Sequence, residues 1–390
     1  MKLLIVCDSY LPKKNSAAIQ IHDLCVEFKR QGHEVILLTT LETGQLNASN
    51  ISGIDIHRVK YRSQDTDSFF RKLINQIILP FKMFSKAKTA LNFNAIDGII
   101  WYSPSSFLWP LILLLRFNSK IKSYLILRDI FPEWAFETRT IESKIIFLIL
   151  RYYARFQYKL ADSIGIQASN NISYIPRRYH HKVHVLENWL ADPKLRIPNS
   201  YFDETEYTKK KIFLYAGNVG VAQGFNRVID LAEQLSLRED ILFACFSRGS
   251  ELERVRKEVC LRDLQNIRFF DVVEHEMLAS ICKSCTLGIV ALDPRHLTHN
   301  IPGKFLFYMR SELPVIAIVN ENNDLVKVIE QNKVGIVLRS KENSEWSKIV
   351  LEYMDDVVDN QTIGKNCREL FQGRYTATSA VHKIASELSC

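Results

Sequence analysis

The chain has 390 residues, 47% of them apolar and 24% charged. That mix belongs to a globular protein of two or three domains and excludes a fibre or a disordered tail. Eight thinly spread cysteines exclude a disulfide framework and fit a reducing compartment, and the net charge of +8 is concentrated, because between Ile56 and Lys159 Lys and Arg outnumber Asp and Glu by 10. A basic stretch of this kind can face nucleic acid, anionic lipid or a phosphorylated substrate.

The opening apolar run, Leu3–Cys7, ends at Asp8 after five residues, shorter than the apolar core of a signal peptide. No stretch approaches the roughly 20 apolar residues of a spanning helix, so a cytoplasmic protein is expected. Lys2–Cys7 followed by polar residues reads as a buried parallel strand entering a loop. Ile19, Ile21, Leu24, Cys25 and Phe28 carry helical spacing through Ala18–Gln31, with Gly32 as a C-cap. Strand-like runs recur at Glu34–Thr40, Ile54–Val59, Asp97–Trp101, Ser123–Leu127, Asp162–Gln167 and Lys182–Glu187, with helical patterns between most of them. The polar segment Ala191–Lys211, with Pro193 and Pro198, reads as a linker. A second series follows, with strands near Ile212–Ala216, Ile241–Ser247, Ile267–Phe270, Thr286–Ala291, Pro314–Ile318 and Val334–Val337. From Asn343 the pattern is helical.

The expected architecture is therefore α/β: two Rossmann-like, doubly wound domains facing a central cleft. Their expected bounds are 1–190 and 212–360, joined by the linker 191–211. Terminal helices over 361–390 are free to pack back on the first domain. Ligands of such sheets bind beyond the carboxyl ends of the strands, and the motifs lie there. Tyr215-Ala-Gly-Asn-Val-Gly-Val-Ala-Gln-Gly224 places Gly217, Gly220 and Gly224 between a strand and a helix, where backbone N–H groups can approach a phosphate. The spacing fits neither the dinucleotide G-x-G-x-x-G nor the Walker pattern. Arg248 follows the next strand and is placed to contact phosphate oxygens. Pro302 and Gly303 turn the chain into a short helix with Lys304 in its first turn. A cation there opposes the helix dipole by roughly 0.3–1 kcal/mol, a cost that an anion at the same helix end would offset.

These motifs resemble glycosyltransferase family 4, of the GT-B fold. The resemblance runs from the LLIVC strand and the R-Q-G-H-E-V turn, through the Gly217 loop, to Asn300-Ile-Pro-Gly-Lys-Phe-Leu. Together with Arg128-Asp-Ile-Phe-Pro-Glu-Trp134, the last motif resembles a narrower branch of bacterial O-antigen and capsule transferases, notably those adding N-acetyl-L-fucosamine. The resemblance implies a nucleoside-diphosphate sugar as donor, probed at Asn15, Ser16, Gly217, Asn218, Gly220, Gln223, Arg248, Val273, Asn300, Ile301 and Lys304. It implies transfer with retention and no metal or other cofactor. The family's Arg and Lys in the first phosphate loop are replaced by Asn218 and Gln223. Its Glu-x7-Glu pair falls at His299 and Phe307, neither of them acidic. His299 is left to orient the donor sugar, and Arg248 and Lys304 to carry more of the diphosphate charge. Asp129, just past a strand of the first domain, is the expected residue to orient or deprotonate the acceptor hydroxyl.

Two basic stretches suggest the acceptor. Ser68–Phe93 mixes Phe69, Phe70, Leu73, Ile77, Ile78, Phe81 and Phe84 with Arg71, Lys72, Lys82, Lys86 and Lys88. Ile141–Leu160 sets Ile145, Ile146, Phe147 and Leu148 beside Lys144, Arg151, Arg155 and Lys159. Basic amphipathic helices lie on anionic membrane surfaces. The expectation is a peripheral protein on the inner face of the cytoplasmic membrane, acting on a polyprenyl-diphosphate-linked glycan. No nucleic-acid-binding module is visible, so nucleic acid is not expected as a partner. Cys282-Lys-Ser-Cys285 lacks a second ligand pair and reads as core thiols. Asp65-Thr-Asp67 sits in a polar loop away from a strand end and reads as solvated. Two other classes share the two-domain fold: a sugar-nucleotide epimerase, which needs no lipid acceptor, and a non-catalytic partner subunit that has lost the site.

Overall fold

The computed structural model describes residues 1–13, 15–42, 49–61, 69–103, 106–117, 119–192, 202, 207, 209–295, 297, 299, 301–339, 344–356 and 360–389. Asp65, Asp67, Pro193, Pro198 and Asn300 lie outside the described residues. The chain forms two compact units. The first comprises Met1–Phe136, Ile141–Ala191 and Thr376–Cys390, and the second Glu137–Thr140 and Asp192–Tyr375.

In the first unit the elements run β1 (Lys2–Val6), α1 (Ser16–Arg30), β2 (Glu34–Glu42), β3 (Asn50–Ile51), β4 (Ile54–Tyr61), α2 (Phe69–Ala90), β5 (Gly98–Ser103), α3 (Trp109–Arg116), β6 (Lys122–Leu127), α4 (Glu133–Glu137), α5 (Lys144–Leu160), β7 (Ser163–Ile166) and β8 (Val183–Val185). The strands form one sheet in the order β3-β4-β2-β1-β5-β6-β7-β8, parallel except for β3. β3 was not expected from the sequence. It pairs antiparallel with β4 through Ser52-Gly53, both at positive φ (54° and 73°), with the Asn50 side chain accepting from the Gly53 N–H. Two-residue hairpins need that conformation.

The residues of β1 alternate between two cores. Leu4 and Val6 face a cluster with Leu79 and Met83 of α2, Leu111 of α3 and Tyr158 of α5. Leu3 and Ile5 face Leu24 and Phe28 of α1 and Val381 and Ile384 of α13 (Ala377–Ser389). A strand buried on both sides reads as a continuous apolar run, which is why Lys2–Cys7 was legible. α1 starts at Asn15, whose side-chain oxygen accepts from the Ala18 N–H at 2.8 Å, an N-cap. It closes with Lys29 and Arg30 in its last turn and Gly32 at φ +83°, as C-capping requires.

In the second unit β9 (Lys211–Asn218), α6 (Asn226–Gln234), β10 (Ile241–Arg248), α7 (Leu252–Leu261), β11 (Ile267–Phe270), α8 (His275–Lys283), β12 (Leu287–Ala291), α9 (Gly303–Arg310), β13 (Val315–Ile318), α10 (Asp324–Asn332) and β14 (Gly335–Val337) precede α11 (Trp346–Asp356) and α12 (Asn360–Arg374). The sheet is parallel throughout, in the order β11-β10-β9-β12-β13-β14. The chain winds outward from β9 to β11 and then returns to the other side of β9 with β12. The crevice of such a sheet opens where that direction changes, at the carboxyl ends of β9 and β12. Of the terminal helices, α12 belongs to the second unit and α13 to the first.

Candidate functional site

The carboxyl end of β9 carries the glycine-rich loop. Gly217, at φ +125°, is exposed, as is Asn218. The loop then closes on itself. The Gln223 side-chain oxygen accepts from the Asn218 side-chain amide at 3.2 Å and from the Gly220 N–H at 3.0 Å. The Val219 N–H donates to the Arg248 carbonyl at 2.7 Å, and those of Gln223 and Gly224 donate within the turn. The sequence suggested a row of amides open to a phosphate. At Val219, Gly220, Gln223 and Gly224 the amides are instead engaged: Gln223 supplies the acceptor for Gly220, and backbone carbonyls supply the other three. Gly249, at φ +140°, packs so closely that a Cβ there would strike the Val219 carbonyl oxygen. The loops after β9 and β10 are thereby held as one piece.

Lys304 lies against this piece. It is the second residue of α9, and a Cβ added at Gly217 would sit 3.8 Å from its Cε. Its Nζ is buried, lies 3.3 Å from the centroid of the Tyr215 ring, and has no hydrogen-bond partner among the described residues. Burial pulls its pKa down to about 7, with Cys245 acting weakly the other way. An aromatic face attracts an ammonium, but it does not replace the hydrogen bonds of water. The site thus holds an amine whose charged form lacks a counterion.

α9 is positioned by Tyr308. Its hydroxyl donates to the Leu214 carbonyl at 3.0 Å and accepts from the Ala216 N–H at 2.9 Å. Its ring occupies the space above Gly288, where a Cβ would approach it to 2.6 Å. This locking residue was missed by sequence reasoning. Phe307, at the position of the second family Glu, is buried, with Arg310 stacked 4.8 Å from its ring centroid.

A cavity of about 310 Å³ borders the loop, lined by Gly220, Gly224, Arg227, Arg254, Asp293 and Arg295 among others. Arg254 bonds Glu251 and Asn226, and Arg295 bonds Asp293. Nη1 of Arg227 is buried with no hydrogen-bond partner among the described residues, and burial lowers that guanidinium's pKa. None of these arginines stood out in the sequence. The one available signal was Asp293-Pro-Arg295 directly after β12.

Of the other expected site residues, His299 is half-buried, with Nδ1 3.7 Å from the Asp324 carboxylate. Burial lowers its pKa, against the opposing pull of Asp324, and this favours the neutral imidazole. Ile301 is buried and Val273 half-buried, while Arg248 is exposed at the end of β10. In the first unit Asn15 caps α1 and hydrogen-bonds Ser9 at 2.9 Å, and Ser16 opens the helix, exposed. Asp129 follows β6, and its carboxyl pKa is raised by burial and lowered in part by Arg128. Arg128 itself is buried. Its guanidinium donates to the carbonyls of Leu186 at 2.7 Å and Glu187 at 3.3 Å and lies 4.2 Å from the Trp189 ring centroid. Cys282 and Cys285 are free thiols, both with pKa values raised by burial.

No protein-family model matches the chain. Over 396 aligned residues it is 19% identical to a protein of Pseudomonas aeruginosa named "Probable glycosyltransferase WbjE", covering 99% of this chain and 97% of that one. The chain has the GT-B fold. Over a 74-residue stretch, 19% of this chain and 18% of the relative, it is 36% identical to the "Putative colanic acid biosynthesis glycosyl transferase WcaI" of Escherichia coli K12. Among solved structures the fold is shared with Anabaena HepE in complex with UDP and glucose, at 14% identity and a TM-score of 0.70, covering 100% of this chain and 99% of that one.

Proposed function

We propose that this glycosyltransferase moves a sugar, with retention of configuration, from a UDP-sugar to a polyprenyl-diphosphate-linked glycan in bacterial surface-polysaccharide assembly. The observation that carries the reading is the buried, unpartnered Lys304 ammonium beside Gly217 at the carboxyl end of β9. A diphosphate at that point supplies the missing counterion. The names of the relatives and the UDP in the HepE structure support a nucleotide sugar and a polysaccharide setting.

In this reading the bond from the sugar's anomeric carbon to the diphosphate breaks. The charge that develops on the leaving oxygen is held by Lys304 and Arg248, a preorganised electrostatic role. The acceptor hydroxyl attacks on the same face, and its proton passes to the departing diphosphate. Asp129, half-buried and with its carboxyl pKa raised by desolvation, orients that hydroxyl. His299, neutral and half-buried, donates or accepts one hydrogen bond to the donor sugar. No metal or other cofactor takes part.

The acceptor is membrane-borne in this proposal. Among the described residues no helix is long and apolar enough to cross a membrane. The apolar faces are nevertheless unusually open. On α2, Ile74, Ile77, Ile78 and Phe81 are 42–55% exposed, and on α5 Ile145, Ile146, Leu148, Ile149 and Tyr152 are 42–72% exposed. The assignment of faces from sequence needs correction in two places. Phe84 packs inward on the core, and Phe147 stacks on Phe136 at 4.4 Å. The inward side of each helix has its own anchors, so the exposed aliphatics are left over for another apolar medium.

A panel of nucleotide sugars, including the UDP-linked N-acetylfucosamine, tests the reading by thermal stabilisation and by transfer to a lipid-linked acceptor. A donor at 100 times its Kd stabilises by about 2.7 kcal/mol. Stabilisation by none of them would favour a non-catalytic subunit, and isomerisation of the donor without acceptor would identify an epimerase.

A further inference from the structure

α5 carries a second feature beyond its aliphatic stripe. Ile145, Leu148, Ile149 and Tyr152 recur at helical spacing on its exposed side. Arg151 and Arg155 fall three residues beyond Leu148 and Tyr152. At that end of the stripe an open cavity of about 420 Å³ is lined by Arg151, Arg155, Arg177 and Arg178, together with Ser173–Pro176. Arg177 and Arg178 begin a short 3-10 turn, Arg177–Lys182, that leads into β8. Arg151 pairs with Glu133 at 3.1 Å and Arg178 stacks 5.0 Å from the Tyr179 ring centroid. Among the described residues no carboxylate lines the cavity, Glu133 meeting Arg151 from outside it.

Four guanidiniums around one depression repel one another and invite a multiply charged anion. Guanidinium is the planar fork that binds phosphate oxygens in pairs. A soluble anion would have no use for the aliphatic stripe beside it. A phosphate-bearing lipid uses both, with its headgroup among the arginines and its chains along Leu148, Ile149 and Tyr152. A single phosphodiester carries one negative charge, whereas a lipid diphosphate carries more and matches the arginine cluster better.

We infer that the cavity formed by Arg151, Arg155, Arg177 and Arg178 is the docking site for the diphosphate of the membrane-embedded polyprenyl acceptor. This inference deepens the transferase reading above and rests on it for the identity of the lipid. The site would hold the acceptor's anchor while its glycan is presented for transfer, so its loss should raise the acceptor KM more than it lowers kcat.

Sedimentation of the full chain with three kinds of vesicle tests this: neutral phosphatidylcholine alone, the same with phosphatidylglycerol, and the same with polyprenyl diphosphate at matched negative charge. The diphosphate vesicles should bind at least tenfold more tightly than the phosphatidylglycerol ones. The double variant Arg155→Gln, Arg177→Gln should abolish that preference without lowering the melting temperature. Arg151 is left intact in it because of its pairing with Glu133. Equal binding to both anionic vesicles, or an unaltered preference in the variant, would overturn the assignment. Complete displacement by inorganic pyrophosphate at the same concentration would also overturn it, in favour of a soluble diphosphate. UDP stabilisation measured on the same variant keeps the two readings apart. Its persistence with an unaltered lipid preference condemns only the cavity, and its absence from wild type and variant alike condemns the donor assignment.

Discussion

Lys304→Met removes the ammonium and keeps an unbranched apolar chain of similar length against Tyr215. The wild-type lysine titrates at about 7 in the fold against 10.5 when free. At about 1.4 kcal/mol per pKa unit, that fall corresponds to a penalty on the order of 5 kcal/mol for holding the charged form. The sign follows from proton counting. Between pH 7 and 10.5 the unfolded chain keeps this proton and the folded chain has lost it, so wild-type stability rises with pH through that window. The penalty is complete below pH 7 and gone above 10.5. The Met variant carries none of it. It should therefore melt higher than wild type at pH 6.5, by about 2–4 °C per kcal/mol of penalty for units of this size. The gap should close as pH approaches 10.5. Activity should move the other way, with a loss of roughly 2–4 kcal/mol of transition-state stabilisation, by analogy with removal of one oxyanion donor.

The same lysine links donor binding to protons. A diphosphate beside the ammonium favours its charged form, so UDP binding at pH 8 should take up a proton and UDP affinity should fall as pH rises above 7. Calorimetry in two buffers of different ionisation enthalpy reads that uptake directly. A Met variant no more stable than wild type at pH 6.5, and binding UDP with the same proton stoichiometry, would refute the assignment of a charged, partnerless lysine at the donor diphosphate.

Other expectations follow from the neighbouring contacts. Tyr308→Phe leaves the Leu214 carbonyl and the Ala216 N–H without their partner; it should cost about 1–3 kcal/mol in urea unfolding and lower UDP stabilisation by loosening α9. Gly249→Ala places a Cβ against the Val219 carbonyl at a φ that L-residues avoid; it should reduce the melting temperature and weaken UDP binding together, whereas Gly373→Ala, with open space around it, should do neither. Transfer should continue at an unchanged rate in EDTA, and a loss restored by added Mg²⁺ or Mn²⁺ would contradict a metal-free mechanism.

The two sheets were legible because their strands are buried on both faces. Lys2–Val6 and Ile241–Ser247 present runs of apolar residues too short for helices, and glycine or polar residues follow them. β3 was not legible. It is two residues long, and its evidence is a hairpin whose Ser52 stands at positive φ, a conformation more often filled by Asn or Asp. The split of the terminal helices was also hidden. α12 and α13 have similar amphipathic patterns, and only the partners they meet separate them, α9 for one and α1 for the other.

The candidate site was readable where chemistry and chain position coincide, and unreadable where distant segments meet. Gly217 and Lys304 could be singled out because each stands at a strand or helix end. That Lys304 would lie over Tyr215, with no oxygen among the described residues to receive its protons, depends on how α9 is set by Tyr308 on β9, a contact across 94 positions of sequence. The contacts of Gln223 were hidden for a related reason. A polar residue in a phosphate loop invites assignment to the ligand, and the sequence does not show that its side-chain oxygen accepts from Asn218 and Gly220. The arginine cavity makes the same point in the first unit. Arg151 and Arg155 read as charges on an amphipathic helix, and Arg177 and Arg178 carried no reading at all. Their juxtaposition arises because β7 carries the chain back beside the helix that precedes it. A right-handed crossover of that kind brings the end of one loop to the flank of the preceding helix, so charges on both accumulate around one depression. Mutual repulsion of guanidiniums there opposes folding unless a ligand relieves it. A polyvalent anion in the cavity should therefore stabilise the first unit, just as a diphosphate beside Lys304 should stabilise the second.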